Sequence, residues 1–294
     1  MSQSRCSRTT AEVYDIRTRA EVQANRAWTA PLGPLGRLSS AAAARAVDLE
    51  RRSTELRELA ASTPPAPSFA AALRGGAVAV IAEVKRQSPS KGVINASIDA
   101  GARAAAYGRG GAAALSILTE PTEFGGTADD LRRAREMTSL PTLKKDFHVR
   151  PVQVLEARAI GASAVLLIAR ALAPGQLQDM ASYARELGVE VLIEVRSEAE
   201  LEDALRIDDA PIGVNARDLE TLIIEPEITA RVIGQIPADR IAVAESGVTG
   251  RAEVMRVAAL GADAVLVGSS VSAAGDPTAA VAALTGVPRT RRAG

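Results

Sequence analysis

The sequence predicts an α/β fold: a closed (β/α)8 barrel, the TIM barrel, carrying an N-terminal helical extension. Three observations predict it. Eight short apolar runs recur from Val78 onward, each followed by a turn containing Gly, Pro, Ser or Asp and then a helical stretch, and the series takes about 210 residues, close to the usual size of that barrel. Strands that are apolar almost throughout and alternate with amphipathic helices belong to parallel sheets covered on the outside. An open doubly wound sheet would carry a glycine-rich fingerprint after its first strand, and Lys85-Arg86-Gln87-Ser88-Pro89-Ser90-Lys91-Gly92 is neither G-x-G-x-x-G nor a Walker A loop.

Taken in order, residues 1–39 read as a poorly ordered lead, because Pro31, Gly33, Pro34 and Gly36 break any helix begun upstream. A helical extension fills 40–77: Val47, Leu49, Leu56 and Leu59 recur at helical spacing among arginines and glutamates, until Ser62-Thr63-Pro64-Pro65-Ala66-Pro67 stops the pattern. The barrel spans 78–288. Its runs begin at Val78 (VAVIAEV), Ala112 (AAALSIL), Thr142 (TLKKD), Ser163 (SAVLLIA), Val189 (VEVLIEV), Pro211 (PIGVN), Arg240 (RIAVAES) and Asp263 (DAVLVGS). Helices follow near Ile98, Ala128, Pro151, Pro174, Ser197, Pro226, Thr249 and Pro277, several with proline in the first turn, where its missing N–H costs little. Residues 289–294 read as a basic tail.

Composition excludes whole classes of function. Lys+Arg and Asp+Glu balance at 35 each, so no long-range field draws the chain to nucleic acid or to an anionic membrane surface; a small-molecule partner fits better. Cys6 and His148 are each alone of their type, which excludes a Cys/His metal site, a disulfide framework and any mechanism needing two histidines. Acid–base chemistry falls to carboxylates, lysines or hydroxyls. No apolar run is long enough to span a bilayer, and MSQSRCSRTT lacks the apolar core of a signal peptide, so the expected location is the cytoplasm.

Strand parity gathers the polar residues. Side chains at i and i+2 share a face, so Glu83 and Lys85 follow Ile81 into the barrel and emerge at its C-terminal rim. By the same rule Lys145 shares the face of Leu143, and Asn215 and Arg217 share that of Gly213; Glu194 ends the fifth run, and Glu245 with Ser246 ends the seventh. Lys144 and Arg86 read as ordinary solvated charges. Barrel active sites are built at that rim, whereas the opposite ends of the runs read as lacking comparable charge. Buried charges need partners, and an anionic substrate is one available partner. Burial lowers a lysine pKa while nearby carboxylates raise it, so this cluster is expected to hold proton donors and acceptors near neutrality.

Gly247, after Glu245-Ser246, and Gly268-Ser269 close the last two strands, where backbone N–H groups commonly bind phosphate. His148 reads as a loop residue. Phe124 and Phe147, scarce in a chain with 2% aromatics, fall just beyond strand ends, where they either wall a flat ring-binding pocket or pack in the core.

These residues resemble the indole-3-glycerol phosphate synthases. The matching segments are Ile81-Ala82-Glu83-Val84-Lys85 through Ser88-Pro89-Ser90-Lys91-Gly92, Ala114-Leu115-Ser116-Ile117-Leu118-Thr119-Glu120, Phe124-Gly125-Gly126, Leu143-Lys144-Lys145-Asp146-Phe147, Leu192-Ile193-Glu194, Ile212-Gly213-Val214-Asn215-Ala216-Arg217-Asp218-Leu219, Ala244-Glu245-Ser246-Gly247 and Val267-Gly268-Ser269. They cover the chain from about residue 68 to 285, and in this order they are highly specific. The lead departs from the family's usual start, Glu123 stands where an aromatic often sits, and His148 replaces an aliphatic residue.

The resemblance implies a carbon–carbon lyase of tryptophan biosynthesis that closes, decarboxylates and dehydrates 1-(2-carboxyphenylamino)-1-deoxyribulose 5-phosphate, an anionic sugar phosphate, without cofactor or metal. It implies that Lys145 is the general acid of ring closure, Lys85 the partner of the substrate carboxylate, Glu194 the acid–base group of dehydration, and Glu83 and Glu245 the carboxylates that orient them. Asn215, catalytic in the same sense, and Ser88, Arg217, Ser246, Phe124, Phe147 and Leu266 complete the substrate contacts; Gly247, Gly268 and Ser269 form the phosphate end. A monomer or weak homo-oligomer is expected. Alternatives are a paralogue running the same reaction in specialised metabolism, a phosphoribosylanthranilate isomerase-like barrel, whose family lacks the Glu-x-Lys and Lys-Asp-Phe pair, and a catalytically silent phosphate-binding barrel.

Overall fold

The computed structural model describes residues 28–292. Eight parallel strands form the barrel: β1 (Ala79–Val84), β2 (Ala114–Leu118), β3 (Thr142–Lys145), β4 (Ala164–Ile168), β5 (Glu190–Val195), β6 (Ile212–Asn215), β7 (Ala242–Glu245) and β8 (Ala264–Val267). The ring closes because β1 pairs with both β2 and β8. The period-2 pattern divides the apolar residues between two cores. Ile81, Ala114, Leu143, Ala164, Leu192 and Val243 fill the interior, and Val80, Leu115, Val165, Ile193, Val214 and Val265 face the surrounding helices.

Helices follow the strands as the turn chemistry dictates. These are α4 (Ala100–Arg109), α5 (Ala128–Met137), α6 (Pro151–Ala159), α7 (Pro174–Glu186), α8 (Glu198–Leu205), α9 (Pro226–Ile233) and α10 (Arg251–Ala259), and after β8 a pair, α11 (Ser269–Ala273) and α12 (Pro277–Ala282). Asp99, Thr127, Ser197 and Asp276 cap their helices with side-chain oxygens, satisfying N–H groups that the helix itself leaves unpaired. Among the described residues no helix is long and apolar enough to cross a membrane.

The extension differs in detail from the sequence reading. Helix α1 (Gly33–Arg51) begins inside the supposed lead: Pro34 sits in its first turn, where proline is tolerated, and Gly36 is required because any Cβ there would collide with the Pro31 carbonyl. The Trp28 indole N–H donates to Ala171 O at 2.9 Å; the lead before Trp28 lies outside the described residues. Helices α2 (Ser53–Ser62) and α3 (Phe69–Ala72) complete the extension. Phe69 and Leu73 join the interior cluster, while Ser68 Oγ and the Ala70 N–H both donate to the Glu190 carboxylate at 2.6 Å, at the start of β5.

The strand N-termini therefore do carry charge, against the expectation. Asp263, directly before β8, accepts from the Ala242 N–H at 2.8 Å and pairs with Arg289 and with Arg292, the latter at 3.0 Å. The described part of the residues read as a basic tail, 289–292, folds back: the Arg289 N–H donates to Gly76 O at 3.1 Å and the Arg292 side chain is buried. Composition shows an arginine's charge but not the buried aspartate waiting for it. Asp263→Ala strands both guanidiniums and should cost about 3 kcal/mol. Urea unfolding checks this, with kcat expected to stay within about twofold because the residue lies at the end remote from the polar rim.

Candidate active site

Strand β1 enters the rim with Glu83 and Lys85 on one face, and their side chains pair at 2.8 Å. Across the barrel, Lys145 Nζ lies 3.0 Å from Glu194 Oε2 and 3.1 Å from Glu245 Oε2. Asn215 Nδ2 donates to Glu194 Oε1 at 3.0 Å, and Asn215 Oδ1 accepts from Ser246 Oγ at 2.8 Å and from the Arg217 N–H at 2.9 Å. One hydrogen-bonded chain thus runs across β7, β6, β5 and β3. Glu83, Glu194 and Glu245 are each less than 5% exposed, which is sustainable only because each carboxylate finds an ammonium.

All fifteen positions singled out in the sequence line a single cavity of about 520 Å³. Phe124 and Phe147 face each other across part of it, ring centroids 6.5 Å apart and tilted by 42°; Phe147 is buried and Phe124 half-buried, so both alternatives hold at once, packing and wall. Leu266, Ser88 and Arg217 lie on the walls with Gly247, Gly268 and Ser269. Ser246 (φ 64°) and Gly247 (φ 78°) both take left-handed backbone, which bends the chain sharply after β7 at a cost that is real for serine. Two glycines are there for space. A Cβ on Gly213 would strike the Glu245 carboxylate, and one on Gly268 would strike Glu83 and stand 2.8 Å from Lys85 Nζ.

The charges tune one another. Burial alone would lower the Lys145 ammonium, but Glu194, Glu245 and Glu83 outweigh it and hold its pKa above the ordinary lysine value. Burial likewise opposes ionisation of Glu83, yet Lys85 and Lys145 keep its pKa below the usual carboxylate value. Glu245 is pushed up to about 7 by burial and by Glu194, against the pull of Lys145. The expected poise near neutrality is therefore found on a carboxylate, while the lysine stays charged.

Some residues stand elsewhere than the sequence suggested. Lys144 is buried on the outer face of β3, 2.8 Å from Glu156 of α6. Arg86 is not a free rim charge but pairs with both oxygens of Asp130 at 2.7 Å. His148 is buried behind β3, its Nδ1 2.8 Å from Leu166 O and its Nε2 3.4 Å from Lys144 Nζ; burial first, then Lys144, hold its pKa well below the histidine norm. In each case a partner comes from another element, Glu156 of α6, Asp130 of α5 or the Leu166 carbonyl of β4, which the local pattern does not show. The residues Gln87–Ser88 and Gly92–Val93 form an antiparallel hairpin at the rim that the strand–helix reading omitted.

Other contributors were missed. Ser116 Oγ donates to Glu83 Oε2 at 3.1 Å; its hydroxyl at an inward position of an otherwise apolar strand was the available signal. Arg45 of α1 reaches Asp146 Oδ1 at 2.7 Å and Glu120 Oε1 at 3.4 Å. Glu120 in turn accepts from the Phe124 N–H, and Asp146 from the Phe147 N–H. The extension thereby ties down both aromatic loops, and nothing in the spacing of Arg45 announced it. Among the described residues, no group of three or more His, Cys, Asp and Glu side chains is arranged to hold a metal ion.

Residues 38–284 match the family model described as indole-3-glycerol phosphate synthase. Indole-3-glycerol phosphate synthase 2 of Streptomyces coelicolor is 46% identical over 236 residues, 80% of this chain and 92% of that protein. The indole-3-glycerol phosphate synthase of Mycolicibacterium smegmatis is 46% identical over 230 residues, 78% of this chain and 85% of that one. Among solved structures, a thiamine phosphate pyrophosphorylase from Pyrococcus furiosus superposes with a TM-score of 0.53 at 17% identity, over 70% of this chain and 93% of that one. The likeness there is of fold alone.

The raised Glu245 pKa has a consequence for stability. Between 4.5 and about 7 the folded state holds a proton that the unfolded chain releases, so this group's contribution is fully present below pH 4.5 and is lost as pH rises through 7. Glu245→Gln should remove that component. Denaturant melts across this range are expected to show a smaller decline with pH in the variant than in the parent, and parallel profiles would contradict the assignment.

Proposed function

The chain belongs to the indole-3-glycerol phosphate synthase family, and from that premise we propose how its cavity carries out the family's reaction. It is a carbon–carbon lyase that converts 1-(2-carboxyphenylamino)-1-deoxyribulose 5-phosphate to indole-3-glycerol phosphate. One observation carries the assignment of roles: the Lys145 ammonium, held by Glu194 and Glu245, stands in the same cavity as the Phe124–Phe147 wall.

The aryl ring lies against Phe124 and Phe147, and the substrate carboxylate meets Lys85 and Arg217. The phosphate sits at the Gly247 and Gly268-Ser269 end of the cavity. Ring closure joins the carboxylate-bearing ring carbon to the ribulose carbonyl carbon, and Lys145 donates its proton to the carbonyl oxygen as negative charge develops there. One well-placed acid contributes about 10²- to 10⁴-fold, and charge stabilisation and positioning supply much of the rest. Carbon dioxide then leaves, its bonding pair returning to the ring. In the final step Glu194 takes the proton from the carbon beside the ring nitrogen, and the new hydroxyl leaves as water with a proton given by Lys85, whose carboxylate partner has departed as carbon dioxide. Asn215 and Ser246 fix the Glu194 carboxylate, Glu83 fixes Lys85, and Glu245 returns Lys145 to its charged form.

Incubating the purified protein with this substrate and following indole fluorescence tests the reading. Turnover should persist in EDTA, and Lys145→Ala should lower kcat by about 10³-fold or more while keeping a parental circular dichroism spectrum. Unchanged turnover in that variant would remove Lys145 from its role. Gly268→Ala should lower kcat/KM by about tenfold or more, because the added methyl displaces the Glu83–Lys85 pair; parental kinetics would show that the pair tolerates displacement.

A further inference from the structure

The end of β1 is held by groups to which the reaction above assigns no part. Along β1 the odd-numbered peptides turn toward β8 and the even-numbered ones toward β2: the Ala79 N–H donates to Asp263 O, whereas Val80 O accepts from the Ala113 N–H. Pairing with β8 stops at Ala82 opposite Val267, since the chain leaves the sheet at Gly268 and enters α11. The next groups facing that side are Glu83 C=O and Lys85 N–H, which would be left without partners in a buried place. Ser272 of α11 takes both. Its Oγ donates to Glu83 O at 2.9 Å and accepts from the Lys85 N–H at 3.2 Å. Tyr107 of α4 adds its hydroxyl, 3.2 Å from Glu83 O and 3.3 Å from Ser272 Oγ.

The clamp is rigid. Ser272 and Tyr107 are both fully buried. Arg103, one turn before Tyr107, donates to Val271 O at 3.2 Å and lies 6.0 Å from the Tyr107 ring centroid, so α4 also fastens α11. On its other edge β1 is paired with β2, Glu83 opposite Ser116. We propose that Ser272, backed by Tyr107, is a positioning residue for Lys85: a side-chain hydroxyl stands in for the strand residue missing beyond Val267 and fixes the direction in which β1 delivers the ammonium. Ser269 begins the same short helix, so Lys85 and the phosphate end of the cavity are held at a constant separation. The kinetic consequence rests on the synthase reading, but the backbone consequence does not.

Two measurements on the full-length protein decide it. Ser272→Ala should speed hydrogen exchange at the Lys85 amide about three- to tenfold, the range for one lost hydrogen bond. It should lower kcat/KM on the carboxyphenylamino-deoxyribulose phosphate by a similar factor. In a Lys85→Ala background the same substitution should leave residual kcat/KM unchanged, because the clamp acts through the lysine. Tyr107→Phe keeps the ring volume and should shift both readouts in the same direction by less, which preserves the test if Ser272→Ala misfolds. Parental exchange at Lys85, or an equal loss of kcat/KM with and without the Lys85 side chain, would overturn the proposal. Failure of the parent to turn over this substrate would instead overturn the synthase reading, and amide exchange would still decide the clamp.

Discussion

Lys145 is an ammonium buried between two carboxylates inside a barrel, and the rim is arranged around it. An ammonium removed from water is tolerated only when its partners are close and themselves held. The carboxylates around it are held in turn: Glu194 by Asn215 of β6, which Ser246 after β7 bonds, and Glu83 by its β1 neighbour Lys85 and by Ser116 of β2. Three glutamates face two lysines in this group, so one carboxylate is in excess. Glu245, with one oxygen lacking a hydrogen-bond partner, is the one driven toward the neutral form. An acid that stays charged and a carboxylate poised near neutrality follow from the same imbalance, and together they suit a reaction that needs a proton donated and then regained.

Space is arranged as carefully as charge. The barrel interior is narrow and filled below the rim by Ile81, Ala114, Leu143 and Ala164, so polar side chains fit only where a neighbour gives up its Cβ. Gly213 makes that room for Glu245, and Gly268 for Glu83 and Lys85. Above them the cavity wall includes Arg37 and Leu38 of α1, Lys91 of the rim hairpin and Arg217. Arg37 and Lys91 are exposed at this wall, and Glu123 with them, whereas Glu83, Glu194 and Glu245 are buried beside Lys85 and Lys145, so cations stand at both levels for a substrate with charged groups at both ends and a reacting carbonyl between them.

Much of this was legible in the sequence, for identifiable reasons. A strand's period of two assigns Glu83, Lys85, Lys145 and Asn215 to the interior without any structure, and the recurrence of apolar run, turn and helix leaves few folds other than the barrel. Pairing across the fold was not legible. Lys144 and Arg86 read as solvated because Glu156 and Asp130 arrive from other elements. The start of α1 was missed because Pro34 and Gly36 were read as breakers when one occupies a permitted first turn and the other a close approach. Arg45, which braces both aromatic loops, looks in sequence like any helix-surface arginine.

The most direct test of the convergence is a crystal structure with the substrate analogue in which the ribulose carbonyl has been reduced to an alcohol, leaving it unable to close the ring. The aryl ring is expected between Phe124 and Phe147, the phosphate against Gly247 and Gly268-Ser269, and the alcohol oxygen within about 3 Å of Lys145 Nζ, an ordinary hydrogen-bond length. An analogue bound with that oxygen remote from Lys145, or with its phosphate outside this cavity, would contradict the convergence.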